Sequence, residues 1–463
     1  MGKHGTEHEM AIGRRANRAL IVYLCFFVSG VAGLIYQILW NKYLALFIGS
    51  TGPAHVMTLA VYMAGLAAGS ALFGRRADRV RSPLVLYILL EMGVGLCGLA
   101  YPLLFEPYRA GFIKLSQALG FGASARMAAK LIFCALTVFV PTFLMGGTLP
   151  VLGRYLVERL EQVGPRVATL YCINTFGAFV GCLLAGFIMI PVYGLRWSMG
   201  IAAGLNFAVC ALALLLFLEK YRNAKAMATA TQSAAGEDSA AATAGLTAAQ
   251  SSSPVLYAPA IRTAVLITIA VSGFVAMIYE IAWIRLLTLV LGASTYSFSL
   301  MVATFIFGIG LGSFVLSFKR RETGYDTIYG FSELLLGLSV LAMLPLVERV
   351  PYWFNHLSTL FARAPFAFWP HMFTQLLICF ALMLAPTTLL GLTLPAASRI
   401  ATEHVGRVGR RVGGVYALNT IGTVVGAIAG GLVFLPLIGL KRTFEVGIVL
   451  NVLSGLAIVW LLR

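Results

Sequence analysis

Apolar stretches of membrane-spanning length alternate with short polar segments from residue 19 to the end of the chain. A helix needs roughly 20 residues to cross about 30 Å of hydrocarbon. On that measure the pattern predicts spans near 19–40, 53–74, 83–104, 128–150, 168–192 and 195–218. A second set follows near 261–283, 294–317, 327–347, 369–394, 412–436 and 441–461. Motifs inside these spans occur twice, about 243 residues apart. Ser29-Gly30, Ile35-Tyr36-Gln37, Trp40 and Lys42 return as Ser272-Gly273, Ile278-Tyr279-Glu280, Trp283 and Arg285. Tyr171, Asn174-Thr175, Gly177, Gly181, Pro191 and Gly194-Leu195 return as Tyr416, Asn419-Thr420, Gly422, Gly426, Pro436 and Gly439-Leu440. Internal duplication of this kind is the signature of transporter-type membrane folds.

Basic residues collect in alternate loops. Arg14, Arg15 and Arg18 precede the first span, and Arg75, Arg76, Arg79 and Arg81 follow the second. Arg154, Arg159 and Arg166 follow the fourth, and Lys220, Arg222 and Lys225 the sixth. Lys319 to Arg321 and Arg399 to Arg411 repeat the pattern in the second half, while segments 105–126 and 350–367 are poorer in cations for their length. The positive-inside rule then makes the basic loops and both termini cytoplasmic. Each half has an even number of spans, so both enter the membrane with the same polarity. The expected fold is an all-α membrane protein of 12 transmembrane helices, two parallel six-helix repeats in a major-facilitator-like arrangement. The domain reading is a cytoplasmic tail over 1–18, repeats over 19–218 and 261–463, and a flexible cytoplasmic linker over 219–260. Residues 226–253 are mostly Ala, Ser, Thr, Gly and Gln, a composition with too little apolar surface to offset chain entropy.

Composition supports the same reading. The chain is 60% hydrophobic and 11% charged, with mean hydropathy +0.89; soluble domains carry about 25% charged residues. The net charge of +17 lies in the loops between spans, which makes nucleic acid an unexpected partner and the lipid bilayer an expected one. The seven cysteines are odd in number and form no C-x-x-C pair, so they read as small core residues. The first apolar run is too long for a cleavable leader and is expected to stay as the first span. The six histidines form no metal-spaced cluster, and no Walker A sequence or G-x-S-x-G is present. No metal, cofactor or catalytic residue is therefore expected.

Three acids lie well inside spans: Glu91, Glu280 and Glu333. An intramembrane carboxylate costs a few kcal/mol by insertion scales and is a functional hypothesis by default. Glu91 and Glu333 are repeat counterparts, and a pair near the two-fold axis would suit a cationic solute or a proton. The competing reading is a buried ion pair, or a protonated acid bonded to the tyrosine one turn earlier. Glu280 stands where the first half has Gln37, so with Tyr36 and Tyr279 these residues join the candidate substrate set. Asn174 and Asn419 join it too, although a buried amide between helices is more simply packing glue. Lys42 and Arg285 follow Trp40 and Trp283, where interfacial tryptophans and snorkelling cations are expected. Pro141, Gly146 and Pro150 recur as Pro386, Gly391 and Pro395, which predicts kinked or interrupted helices that either hinge a gate or shape a turn. Gly65-x-x-x-Gly69 and Gly308-x-x-x-Gly312 read as close helix contacts.

These paired motifs resemble the membrane domain of a bacterial family of fused major facilitator–spermidine synthase proteins. Gly74-Arg75-Arg76-Ala77-Asp78-Arg79 also resembles the start of the major facilitator loop signature, departing from it at Arg81, where a glycine is usual. The resemblance implies a multi-pass protein of the bacterial inner membrane that moves a polyamine or other small cationic solute. Members often carry a soluble aminopropyltransferase-like domain; this sequence ends after its last span, so no catalytic residue carries over. The alternative implied is a non-transporting membrane subunit that anchors a separate soluble aminopropyltransferase-like protein.

Overall fold

The computed structural model describes residues 2–48, 52–120, 122–234, 256–292, 294–347, 349–361 and 368–463. Its helices are α1 (Gly2–Ile48), α2 (Gly52–Ala77), α3 (Pro83–Ala118), α4 (Ala123–Gly146), α5 (Thr148–Leu156), α6 (Val163–Leu184) and α7 (Gly194–Ala234). The second half holds α8 (Pro259–Leu291), α9 (Thr295–Ser317), α10 (Tyr325–Val347), α11 (Val350–Phe361), α12 (Phe368–Ala401), α13 (Val408–Ile428) and α14 (Leu435–Leu461). Among the described residues ten continuous segments are long and apolar enough to cross a bilayer, but two of them, Leu160–Arg222 and Val405–Leu461, run to 63 and 57 residues. Each of these two turns back at a glycine of positive φ, Gly194 at +68° and Gly439 at +78°. Each therefore crosses twice, and the segments make twelve crossings.

The two turns are built alike. A π-helical stretch precedes each, Ala185–Tyr193 and Ala429–Phe434, and Pro191 and Pro436 lie close before the glycines. The repeat seen in the sequence is thus a repeat in backbone geometry. Elsewhere the elements overrun the expected boundaries. α1 already begins in the predicted tail, and α7 continues to Ala234 inside the predicted linker; residues 235–255 of that linker lie outside the described residues. α3 continues to Ala118 through Pro102 and Pro107, and α11 occupies part of 350–367, so both segments read as loops are largely helical.

Glycines set the packing distances. A Cβ on Gly65 or Gly69 would strike α4, and one on Gly308 or Gly312 would strike α12. Gly177 and Gly181 lie against the backbone of α1, and Gly422 and Gly426 against that of α8. Close backbone approach of this kind drives helix association in lipid, where burial alone gives no preference for protein over acyl chain. Within the halves α1 packs on α6 and α7, and α8 on α13 and α14. Across the halves the broad contacts are α2 on α13 and α6 on α9. Leu24, Leu96, Ile132, Leu215, Leu289 and Leu453 face outward, as lipid contact requires.

Candidate solute site at the seam between the halves

Leu34, Gln37, Ile38 and Asn41 share one stripe of α1. With Trp40 they meet Thr58, Leu59 and Tyr62 of α2 and Phe298 and Val302 of α9 around a narrow cleft. Two walls come from the first half and one from the second. The cleft lies toward the membrane face opposite the basic loops, since it uses the late part of α1 and the early parts of α2 and α9. Its polar groups are few and convergent, as in small-molecule sites generally.

Glu280 borders this seam from α8. Met277 and Ile281 pack on Val56, Leu59 and Ala60 of α2, and Ile284 packs on a core that joins first-half residues to Val302 and Ala303 of α9. Positions 277, 280 and 284 form one helical stripe, so Glu280 shares the face that α8 turns to the first half. It lies near Cys182 of α6, whose thiol donates to the Ser299 carbonyl at 3.3 Å. Glu280 is half-buried, and among the described residues it makes no hydrogen bond or ion pair. Arg285 is exposed and does not pair with it.

At the cleft's outer end the Lys42 ammonium donates to the Thr295 hydroxyl at 2.8 Å, a direct link between the halves. The basic-loop end is closed instead. There Asp78 accepts the N–H groups of Gly409 at 2.9 Å and Arg410 at 2.8 Å, at the start of α13, with Arg154 at 3.5 Å. Ser70 donates to the Gly413 carbonyl at 3.2 Å, and Gly74 meets Gly409 and Gly413 with no room for a Cβ. A carboxylate at a helix N-terminus satisfies orphan N–H groups and complements the helix dipole. In the second half Arg399 is fully buried, 3.9 Å from Glu322 and over the Tyr257 ring. Glu403 binds both Arg262 and Arg411.

Glu91 and Glu333 do not meet at an axis. Glu91 lies between α1, α3 and α7, where Ser29 donates to Oε1 at 2.6 Å and Asn206 to Oε2 at 2.7 Å. Glu333 occupies the equivalent place in the other half, beside Ser272, Tyr279 and Tyr329. Both carboxylates are buried, and neither lines the cleft. Tyr36 stacks on Trp40 at 5.1 Å, and Tyr279 sits 5.6 Å from Trp283, both fully buried within their own halves. Asn174 and Asn419 sit at close helix crossings, their carbonyls against Gly30 and Gly273.

The proline motifs differ between halves. In the first, α4 ends at Gly146 and α5 begins at Thr148; in the second, α12 runs unbroken through Pro386, Gly391 and Pro395. Thr148 and Thr393 each donate to the carbonyl three residues earlier, both at 2.8 Å. Gly146 and Gly391 press against Leu66 and Ile309, so both are packing contacts.

Sequence reasoning passed over Asn206, Asn451, Asn41 and Thr58. The first two are themselves repeat counterparts, and that spacing was the available signal.

No protein-family model and no curated protein matches the chain. Solved structures do. The human organic anion transporter MFSD10 is 13% identical, with 96% of this chain and 99% of that one covered at a TM-score of 0.57. A bacterial homologue of the iron transporter ferroportin, in an outward-facing state, is 14% identical, with 96% and 100% covered at 0.59. At these identities the likeness is one of fold. The chain is a multi-pass, major-facilitator-like membrane protein.

Proposed function

We propose that the protein is a transporter whose two halves rock about the seam, carrying a small solute that bears a protonated amine. The observation that carries this reading is Glu280. A carboxylate at membrane depth is retained only where something offsets its desolvation, and this one, beside the seam between the halves, has no partner among the described residues. A cationic solute group supplies that partner. The apolar and aromatic walls around Gln37, Asn41 and Thr58 suit a short aliphatic body with few polar groups. The transporter neighbours support carriage as the use of this fold. The resemblance to the spermidine synthase fusion family makes polyamines the first class to try. The reading includes an inner-membrane setting with the basic loops cytoplasmic, following the positive-inside pattern.

Uptake of labelled amine-bearing solutes into proteoliposomes tests it, with Glu280→Gln beside the parent protein. Uptake by the parent and a loss of about tenfold or more in the variant are expected, the scale of a lost charge partner. Equal uptake by Glu280→Gln, or none by the parent for any amine, rejects it.

A further inference from the structure

Two charged positions at the seam, Lys42 and Glu280, have opposite sign and come from opposite halves. Lys42 stands at the end of α1, and its ammonium reaches Thr295 at the start of α9. Among the described residues it has no carboxylate partner, and a hydroxyl does not neutralise it. Glu280 stands on α8 near Cys182, which is hydrogen-bonded to Ser299, one turn further along α9 than Thr295. Four to eight residues of α9, from Thr295 to Ser299 or Ala303, separate the two levels, or roughly 6–12 Å of helix rise. The cleft wall formed by Phe298 and Val302 lies over that same stretch.

Glu280 breaks the internal repeat in charge, and Lys42 breaks it in placement. The counterpart of Glu280 is Gln37, which is neutral and lines the cleft. The counterpart of Lys42 is Arg285, which is exposed instead of reaching across the seam. Among the described residues, Lys42 of the first half and Glu280 of the second thus each lack a partner of opposite charge. A purely cationic solute would satisfy Glu280 and leave Lys42 facing a like charge. Like-charge placement is how sites reject the wrong ligand.

We infer that the solute is zwitterionic, its ammonium held by Glu280 and its carboxylate by Lys42. Gln37, Asn41 and Thr58 lie on the wall of the seam cleft and offer neutral polar contacts to such a solute. Binding joins the two halves through one molecule, because each end is held by a different half. This rests on the proposed transport reading and narrows its substrate from amines to amino acids of short chain.

Three five-carbon probes separate the possibilities: cadaverine with two ammonium ends, 5-aminovalerate with one of each, and glutarate with two carboxylates. Each is offered to proteoliposomes, and each to detergent-solubilised protein in a thermal-shift assay. 5-Aminovalerate is expected to be preferred over both others by about tenfold or more, the scale on which a site rejects a ligand lacking a required polar group. Lys42→Glu is expected to reverse the preference toward cadaverine, and Glu280→Lys toward glutarate. Lys42→Met, which keeps the stem length, should abolish the discrimination against cadaverine. If cadaverine equals 5-aminovalerate in the parent, the zwitterion inference fails while the amine reading survives. If Lys42→Met lowers uptake of every probe by the same factor, Lys42 is only a latch on Thr295 and the inference falls. If no probe bearing an ammonium is bound or carried by the parent, both fail together.

Discussion

Glu91 and Glu333 show how the same residue types at equivalent places end in different physical states. Glu91 has each oxygen served by one neutral donor, Ser29 or Asn206, in a fully buried setting. Around Glu333 the corresponding Ser272 hydroxyl and both carboxylate oxygens lack a hydrogen bond among the described residues. Asn451 turns its amide toward the Tyr279 hydroxyl at 3.5 Å instead. Removing the amide should therefore matter more in the first half. Asn206→Ala strands one oxygen of a buried carboxylate and is expected to cost about 1–3 kcal/mol. Asn451→Ala loses one long contact and should cost nearer 0.6 kcal/mol, the average for polar contacts inside membranes. Thermal or denaturant unfolding in detergent measures both, and an Asn206→Ala protein as stable as the parent would show that Glu91 needs no such partner. The sequence identified both acids but not their surroundings. Lipid and protein interior are both apolar, so periodicity around Glu91 does not say which face meets α7. Asn206 becomes its partner only when α3 and α7 are laid side by side.

At the scale of elements, the turns between the last two crossings of each half were the most legible part of the chain. Pro191 with Gly194, and Pro436 with Gly439, stop one helix and start the next at the same point of each repeat. The backbone explains why glycine stands there. Gly194 has φ 68° and ψ 178°, and Gly439 φ 78° and ψ 175°, a region essentially closed to other residues. Gly194→Ala and Gly439→Ala are each expected to lower stability by about 1–3 kcal/mol. Gly204→Ala in α7, where a Cβ meets open space, should be neutral or stabilising by about 0.5–1 kcal/mol. Equal effects at Gly194 and Gly204 would remove the conformational explanation. The duplicated prolines were less legible, because the sequence motif is shared while the outcome is not. Pro141 and Pro150 flank a one-residue break at Gly147, where the backbone stays near helical (φ −77°, ψ −20°), whereas Pro386 and Pro395 sit in one continuous helix. The break falls on Gly147, whose counterpart is Leu392, so the two motifs differ in sequence at the position where they differ in structure. α11 escaped notice for a related reason: Val350–Phe361 is too short to read as a span and too apolar to read as a loop.

For the whole molecule, the seam is sealed at one end and hollow at the other, and that asymmetry defines the state observed. The seal is Asp78 on the N-terminus of α13, reinforced by Ser70 on Gly413 and by glycine contacts around Gly74. The hollow is the cleft around Gln37, bridged by Lys42 and Thr295 at its edge. In the proposed transport cycle the first set of contacts opens as the solute leaves. Asp78→Asn keeps one acceptor and the side-chain shape but removes the charge facing two N–H groups. Charged hydrogen bonds contribute about 1.5–3 kcal/mol and neutral ones about 0.5–1.5, so the substitution should weaken the seal by about 1–2 kcal/mol. That corresponds to a rise of roughly 5–30-fold in the population open at the basic-loop end. A cysteine placed at Ser70, in a protein stripped of its seven native cysteines, reports this directly, since Ser70 is fully buried in the sealed state. Its labelling by a small aqueous thiol reagent should be slow with Asp78 intact and several-fold faster with Asp78→Asn. Fast labelling in both would mean that α2 and α13 already part freely and that Asp78 does not hold them. Slow labelling in both would place the moving contact elsewhere along the seam, with α6 and α9 as the remaining broad contact between the halves.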